Sequence, residues 1–229
     1  LLSEAGHHGR VDLAGFWSRR FRRLLPAAWA TLVVVGVVEV VRGDVSPDLP
    51  GDLWASAAQI ANWRFLLGGH SYADIFSAPT PVLPFWGLAI EGQFYLVFPL
   101  VFVGAWRLLR GRRAALGAAF AAGALASFAL PFVLGASVDR TYYGTDTRAG
   151  ELLAGAALAA LVARPGFRRR IVHRWWWRIG AASLGALAVV GSAVAWVVLE
   201  EGSPLLRRGL LAVVAVASCL AVVGAIVPT

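Results

Sequence analysis

A carboxylate lies inside an apolar stretch of helix length. The run from Trp86 to Pro99 is largely apolar, yet it contains Glu91 and Gln93. A charged side chain near the centre of a membrane helix costs about 3 kcal/mol unless it faces a partner or a water-filled cavity. Glu91 is therefore a candidate functional residue. On a helix Tyr95, four residues further on, shares the face of Glu91, whereas Gln93 points elsewhere.

A second candidate is a cluster of four arginines that directly precedes an apolar run. Its members are Arg19, Arg20, Arg22 and Arg23. Guanidinium groups bind phosphates through paired hydrogen bonds and keep their charge. The cluster therefore has two interpretations: an anchor at the membrane edge, or a binding site for a ligand that carries phosphates.

A third candidate begins near Asp146, where polar residues enter the next apolar stretch. Arg148 and Glu151 are three residues apart and can pair on one face of a helix. They form either an ion pair at a helix start or part of a polar site at the membrane. His70 and Asp74 are a weaker acid–base candidate, because a histidine in a loop is more often merely solvated.

The composition indicates an integral membrane protein. Of 229 residues 59% are hydrophobic and 15% are charged, against about 25% charged in an ordinary soluble domain. The net charge of +8 comes entirely from arginine. The arginines lie between apolar segments, which favours a topological role over nucleic-acid binding. The single Cys219 excludes a disulfide within the chain.

Hydropathy predicts an all-α, polytopic transmembrane helix bundle. A membrane helix needs about 20 mostly apolar residues, and six stretches approach or reach that length: 24–41, 82–106, 114–135, 149–163, 179–199 and 209–227. The stretch 53–67 is apolar but short and contains polar residues. We predict that it is an interfacial or re-entrant helix.

Arginine-rich and acidic segments alternate along these six spans. Arginines concentrate in segments 19–23, 107–113 and 164–178, whereas acids concentrate in 44–52, 74, 139–146 and 200–201. Segments rich in arginine stay in the cytoplasm. We therefore predict a multi-pass protein of the cell membrane with a cytoplasmic N-terminus.

Four sequence blocks, in this order and spacing, resemble membrane acyltransferases of the acyltransferase-3 type. They are Arg19-Arg20-x-Arg22-Arg23-Leu24-Leu25-Pro26; Asn62-Trp63; Phe85-Trp86-x-Leu88-Ala89-Ile90-Glu91-x-Gln93-Phe94-Tyr95; and Tyr143-x-Thr145-Asp146-Thr147-Arg148. The resemblance covers essentially the whole chain. The form of the last block resembles the branch that modifies peptidoglycan or similar glycans.

The resemblance implies an enzyme that takes an acyl group, usually acetyl, from acyl-CoA on the cytoplasmic side. The acceptor is a hydroxyl of a cell-envelope glycan or a related molecule. Acyl-CoA is then a donor substrate, with no permanently bound cofactor and no metal. The partners are the bilayer, acyl-CoA and the acceptor, and not nucleic acid.

The resemblance also implies roles for individual residues. Glu91 orients a histidine base, and Arg148 holds Glu91, Glu151 or the substrate. The phosphates of CoA bind Arg19, Arg20, Arg22 and Arg23. The substrate pocket is lined by Trp86, Gln93, Tyr95, Tyr143, Asp146 and Glu151.

Residues 1–229 are expected to form a single integral-membrane acyltransferase domain that is incomplete. Family members usually begin with a helix that carries a histidine and continue with further helices, so this chain is expected to be the middle of about ten helices and inactive by itself. The chain also departs from the family pattern around Glu91. Pro84 stands for a His, Gly87 for a Ser, and Gly92 for a second Glu.

Two other functions remain open on the sequence. A transporter or flippase would also keep Glu and Arg near a water-filled path, and inverted repeats would favour it. A non-catalytic membrane scaffold would tolerate the changes at positions 84 and 92.

Overall fold

The structure, a computed structural model, describes residues 1–8, 11–43, 45–69, 80–164, 166, 175–198 and 209–226. Within these ranges the chain is helical and contains no strand, so the predicted all-α class is confirmed. His70 and Asp74 lie outside the described residues. In chain order the helices are α1 (Leu2–His8), α2 (Leu13–Arg42), α3 (Leu49–Ala57), α4 (Ala61–Leu67), α5 (Phe85–Leu108), α6 (Arg113–Val133), α7 (Val138–Tyr143), α8 (Thr145–Val162), α9 (Trp175–Val198) and α10 (Leu211–Ile226).

Four of the described helices are long and apolar enough to cross a membrane: α2, α5, α6 and, over Arg178–Ala195, α9. They correspond to four of the six predicted spans. The other two predicted spans also form helices. Helix α10 is apolar but has only 16 residues. Helix α8 has 18 residues, and its first two turns carry Asp146, Arg148 and Glu151. The chain is therefore a multi-pass helical membrane protein.

Helix α2 begins well before the apolar run that predicted it. Asp12 caps its N-terminus, because the Asp12 carboxylate accepts from the Gly15 amide at 2.9 Å. Gly43 ends the helix in the left-handed conformation, with φ 73°, which suits a residue without a side chain. The four arginines therefore lie in the first turns of a helix that continues into the membrane span.

The predicted helix over 53–67 is instead two short helices, α3 and α4. The break falls at Gln59, whose φ of 60° is left-handed and incompatible with a continuing α-helix. Arg64 on α4 joins the two helices: its Nε lies 2.6 Å from Asp52 Oδ1. Whether the pair lies at the membrane interface or re-enters the membrane stays a prediction.

The chain divides into two compact units, residues 3–104 with 139–145 and residues 105–138 with 146–229. The first unit contains helices α1 to α4, most of α5, and α7. Its buried apolar core joins side chains from α2, α4, α5 and α7 with those of the turn before α5. The core residues are Leu32, Ala61, Phe65, Val82, Leu83, Ala89 and Tyr143.

The second unit is held by close helix approaches at small residues. At Gly185 on α9 an added Cβ would lie 2.9 Å from Gly224 Cα on α10. Backbones that meet this closely give membrane helices their packing contact, because burial from water contributes nothing there. Between α6 and α8 the Ser127 hydroxyl accepts from the Gly150 amide at 2.8 Å and donates to the Asp146 carbonyl oxygen.

Candidate functional site

The side chain of Gln93 is the centre of a polar cluster inside the first unit. Its Nε2 donates to the carbonyl oxygen of Gln59 and to Asn62 Oδ1, both at 2.8 Å. Its Oε1 accepts from Thr145 Oγ1 at 2.6 Å and from Trp63 Nε1 at 3.3 Å. Both amide protons and both oxygen lone pairs are therefore used. We call this group of five residues the Gln93 hub.

Asn62 completes the Gln93 hub from α4. Its side chain is fully buried, and its Nδ2 donates to the Tyr143 carbonyl oxygen and to Thr145 Oγ1, each at 2.9 Å. The hub thus ties α4 and α5 to the residues at the end of α7 and the start of α8. The side-chain polar groups of Gln93, Asn62 and Thr145 are all paired. A buried network with such a paired centre specifies one arrangement of its helices.

Aromatic side chains surround one end of the hub. The rings of Trp86 and Tyr142 lie 4.6 Å apart, and Trp86 also meets Tyr143 edge-on at 5.9 Å. The Arg140 guanidinium carbon lies 5.3 Å from the centre of the Trp63 ring. Two residues of the predicted pocket, Trp86 and Tyr143, are therefore in contact. Tyr143 is fully buried, so it contributes packing within the protein.

Glu91 lies on a different face of α5 from Gln93, as two residues of helical spacing require. Its side chain is exposed. The predicted separation of Glu91 and Gln93 is thus confirmed. Gln93 is committed to the hub, whereas the Glu91 carboxylate stays open to other groups.

The basic start of α2 meets α5 at Tyr95. The Arg20 guanidinium carbon lies 5.4 Å from the centre of the Tyr95 ring and 5.8 Å from that of Phe16. Trp17 Nε1 donates to the Tyr95 carbonyl oxygen at 3.0 Å. Glu91 lies one turn before Tyr95, about 6 Å along the helix axis. Arg20, Tyr95 and Glu91 therefore follow one another along one side of the α2–α5 contact.

All four arginines of the α2 cluster are exposed. Arg19 lies 3.4 Å from Glu4, but its side chain is 62% exposed, so this ion pair contributes little. An exposed row of guanidinium groups at the start of a helix can bind a multiply charged anion.

The second unit contains the other predicted polar residues. Arg148 and Glu151 form an ion pair at 2.9 Å, with 18% and 29% of their side chains exposed, which confirms the predicted pairing. The Asp146 carbonyl oxygen accepts from Ser127 on α6. Within the described part of the chain, no three His, Cys, Asp or Glu side chains are placed to hold a metal ion.

The sequence did not assign Asn62, Trp63, Thr145 or Gln59 to the site. Asn62, Trp63 and Thr145 stood in the blocks that carried the resemblance, so that signal was available. Gln59 gave no signal beyond being polar in an apolar stretch. Its part in the hub depends on its carbonyl oxygen, which the residue type does not reveal.

The long helices are apolar, and the first unit contains a buried polar hub. The exposed Glu91 carboxylate lies beside the arginine-rich start of α2. These features define a polytopic membrane protein with a polar site. A family model described as an acyltransferase domain matches residues 6–227. The chain therefore belongs to the acyltransferase-3 family, as its four sequence blocks suggested.

The chain is also similar to part of several curated proteins. It is 38% identical over 162 residues to the peptidoglycan O-acetyltransferase OatA of Listeria monocytogenes, a match that covers 69% of this chain and 26% of that protein. It is 40% identical over 164 residues to the putative peptidoglycan O-acetyltransferase YrhL of Bacillus subtilis, with the same shares covered. A putative O-acetyltransferase of Staphylococcus aureus is 35% identical over 165 residues, covering 70% of this chain and 27% of the relative.

The chain thus spans about a quarter of the length of these curated relatives. No solved structure matches it.

Proposed function

We propose that this chain carries the donor side of an acyltransferase that moves an acyl group, most simply acetyl, from acyl-CoA to a hydroxyl of a cell-envelope glycan. Family membership supports acyl transfer. The names of the relatives OatA and YrhL support a glycan acceptor of the peptidoglycan type.

One observation carries this proposal: Arg20 lies over Tyr95, one helical turn from Glu91. Arg20 of the exposed α2 cluster and the exposed carboxylate of α5 therefore border a common surface. A phosphate-bearing donor held by Arg20, Arg22 and Arg23 would bring its acyl end towards Glu91. If the arginines and Glu91 lay on separate faces, no single donor molecule would link them.

The chemistry requires a base and a group that stabilises negative charge. The acceptor oxygen attacks the carbonyl carbon of the thioester and a C–O bond forms. The C–S bond then breaks, and the thiolate of CoA takes up the proton that the hydroxyl released. The family resemblance implies a histidine base, which would accelerate this step by accepting that proton. Glu91 would orient that histidine as carboxylates do in other acyl-transfer sites.

The acceptor would approach from the aromatic end of α5. Trp86 and Tyr142 lie at the start of that helix, whereas Tyr95 and Arg20 lie two to three turns further on. Sugar rings bind well against aromatic faces, which present broad apolar surfaces beside polar edges. With the N-terminus in the cytoplasm, the arginines of α2 would face cytoplasmic acyl-CoA and Trp86 would face the other side of the membrane.

The test compares arginine and glutamate variants of the full-length protein in membranes, because residues 1–229 by themselves are expected to be inactive. Replacing Arg20, Arg22 and Arg23 together by Gln removes three charge-assisted hydrogen bonds, each contributing about 1.5–3 kcal/mol. We expect the Kd for acetyl-CoA to rise at least tenfold. Glu91→Gln leaves the charges of the α2 arginines unchanged, so we expect the Kd for acetyl-CoA to stay within twofold. We expect kcat to fall at least a hundredfold.

Arg107→Gln is the matched control, because Arg107 is an exposed arginine at the far end of α5. It should leave both Kd and kcat unchanged. Unchanged acetyl-CoA affinity in the triple arginine variant would contradict the donor site. Normal turnover in Glu91→Gln would remove that residue from the mechanism. Transport of a solute without any acyl transfer would favour a transporter instead.

A further inference from the structure

Gly92 and Gln59 share one small volume between α5 and the α3–α4 break. A Cβ added at Gly92 would lie 2.5 Å from Gln59 Oε1, 3.2 Å from its Cδ and 3.3 Å from its Cγ. Gly92 is buried. The Gln59 side chain therefore lies flat against the helix backbone, in the space that any side chain at position 92 would need.

The backbone of Gln59 is unfavourable for its residue type. Its φ of 60° is left-handed, a conformation that glycine adopts freely and that costs free energy for a residue with a Cβ. Strain of this kind persists where the surrounding structure fixes the residue. A glycine at position 59 would remove the strain but also the side chain that fills the space beside Gly92.

Gln59 uses both its backbone and its side chain to hold neighbouring residues. Its Nε2 donates to the Ser56 carbonyl oxygen at 3.2 Å, near the end of α3. Its own carbonyl oxygen accepts from Gln93 Nε2 at 2.8 Å. Gln59 Oε1 is buried against α5 and has no hydrogen-bond donor among the described residues. One residue thus contacts both Gly92 and Gln93 on α5.

We propose that Gln59 and Gly92 form a reciprocal pair. The polar side chain of Gln59 occupies the space that a side chain at position 92 would otherwise fill. The pair sets how closely α5 approaches the α3–α4 break. It thereby positions the Gln93 hub and, on the other side of Gly92, the Glu91 carboxylate. Gln59 is a positioning residue in this scheme, and its effect on turnover rests on the proposed acyl transfer.

The pair gives a physical reason for the departure at position 92. The family pattern that this chain resembles has a second Glu there, and with Gln59 in place a larger side chain would not fit. The amide of Gln59 now occupies that space. The space beside Gly92 is therefore filled by a residue 33 positions earlier in the sequence.

The test is a thermal-unfolding cycle in detergent with the wild-type protein, Gln59→Ala, Gly92→Gln and the double variant. Gly92→Gln crowds two amides into one volume, and Gln59→Ala leaves that volume empty, so each should lower Tm by several degrees. The double variant moves the amide from the turn to the helix. We expect its Tm to lie above those of both single variants.

Gly104→Gln is the matched control, because Gly104 lies on the same helix with open space around it. It should change Tm equally in the wild-type and Gln59→Ala backgrounds. Tm shifts of Gln59→Ala and Gly92→Gln that simply add in the double variant would overturn the proposed pair.

Turnover per folded molecule is a second measurement. A purely structural role of Gln59 would leave it unchanged. Normalised to folded protein, kcat should fall at least tenfold in both single variants and recover at least threefold in the double variant. The KM for acetyl-CoA should stay unchanged, because the donor arginines lie on α2. Full kcat in Gln59→Ala would contradict the positioning role. Absence of transfer by the full-length wild-type protein would refute the proposed function, and the Tm cycle would still decide whether the pair exists.

Discussion

At the scale of the residue, two polar side chains two positions apart on α5 have different situations. Gln93 makes four hydrogen bonds within the protein, which leaves it no capacity to bind a substrate while the hub is intact. Glu91 is exposed on another face. Gln93 therefore acts by positioning helices, and the chemistry proposed for α5 depends on Glu91.

Gln93→Glu tests the hub with almost no change of shape. A glutamate can still accept from Thr145 and Trp63, but it presents an acceptor to the Gln59 carbonyl oxygen and to Asn62 Oδ1. Two hydrogen bonds become repulsive contacts between oxygens, and leaving buried polar groups unsatisfied costs about 1–3 kcal/mol each. We expect a loss of about 2–4 kcal/mol in unfolding free energy, measured by denaturation in detergent.

Val97→Ala is the control for the hub variant, because Val97 lies one turn further along α5 and is 53% exposed. It should change the unfolding free energy by less than about 0.5 kcal/mol. A Gln93→Glu protein as stable as the wild type would mean that the hydrogen bonds of Gln93 do not hold the helices together.

At the scale of the element, Arg64 joins the short helices α3 and α4 through a close ion pair with Asp52 and a longer one with Asp48. The Asp52 side chain is only 1% exposed, and Arg64 Nε lies 2.6 Å from its Oδ1. The same guanidinium group packs over Gly51 and occupies the space that a Cβ there would need. Arg64 thus fixes the angle between α3 and α4 and, with it, the break that contains Gln59.

Arg64→Met should destabilise the protein by about 3 kcal/mol, because it leaves the buried Asp52 carboxylate without its partner. Adding Asp52→Leu to Arg64→Met should restore part of that loss, since two apolar side chains replace a broken pair. The measurement is the Tm of both variants in the same detergent. An Asp52→Leu change that makes Arg64→Met still less stable would show that the carboxylate has another essential partner.

At the scale of the whole molecule, charge asymmetry predicts which loops face the cytoplasm. Arginine-rich segments flank α2, α5 and α6 on the predicted inner side, and the segment between α2 and α3 carries two acids and a proline instead. Orientation decides whether the arginines of α2 can meet cytoplasmic acyl-CoA, so the proposed function depends on it.

Single cysteines measure the orientation directly. After Cys219→Ala removes the one native thiol, Ser46→Cys places a thiol in the segment after α2 and Ala114→Cys places one at the start of α6; both native positions are exposed. In intact cells a membrane-impermeant thiol reagent should label the cysteine at 46 and not the one at 114, and both should react after lysis. The opposite labelling pattern would show that the topology is reversed. The α2 arginines would then lie on the side of the membrane away from cytoplasmic acyl-CoA.

Much of the fold and part of the site follow from the sequence, because the signals involved are local. Apolar runs predicted the long helices, and helical spacing predicted that Glu91 and Gln93 face apart and that Arg148 pairs with Glu151. The family was recognisable from four blocks of residues. These inferences need only the neighbours of each residue along one helix.

Only the tertiary structure decided which polar side chains meet. Gln93 bonds to residues 31 and 52 positions away, and no periodicity within α5 specifies the helices that supply them. The sequence predicted one short helix where the structure has two, because the left-handed turn at Gln59 is imposed by contacts with α5. In the sequence, Gly92 stands where the family pattern has a carboxylate. In the folded chain, the space beside Gly92 is occupied by the Gln59 side chain. Hydropathy determines where a helix runs, whereas its rotation and its partners are set by packing between segments far apart in the chain.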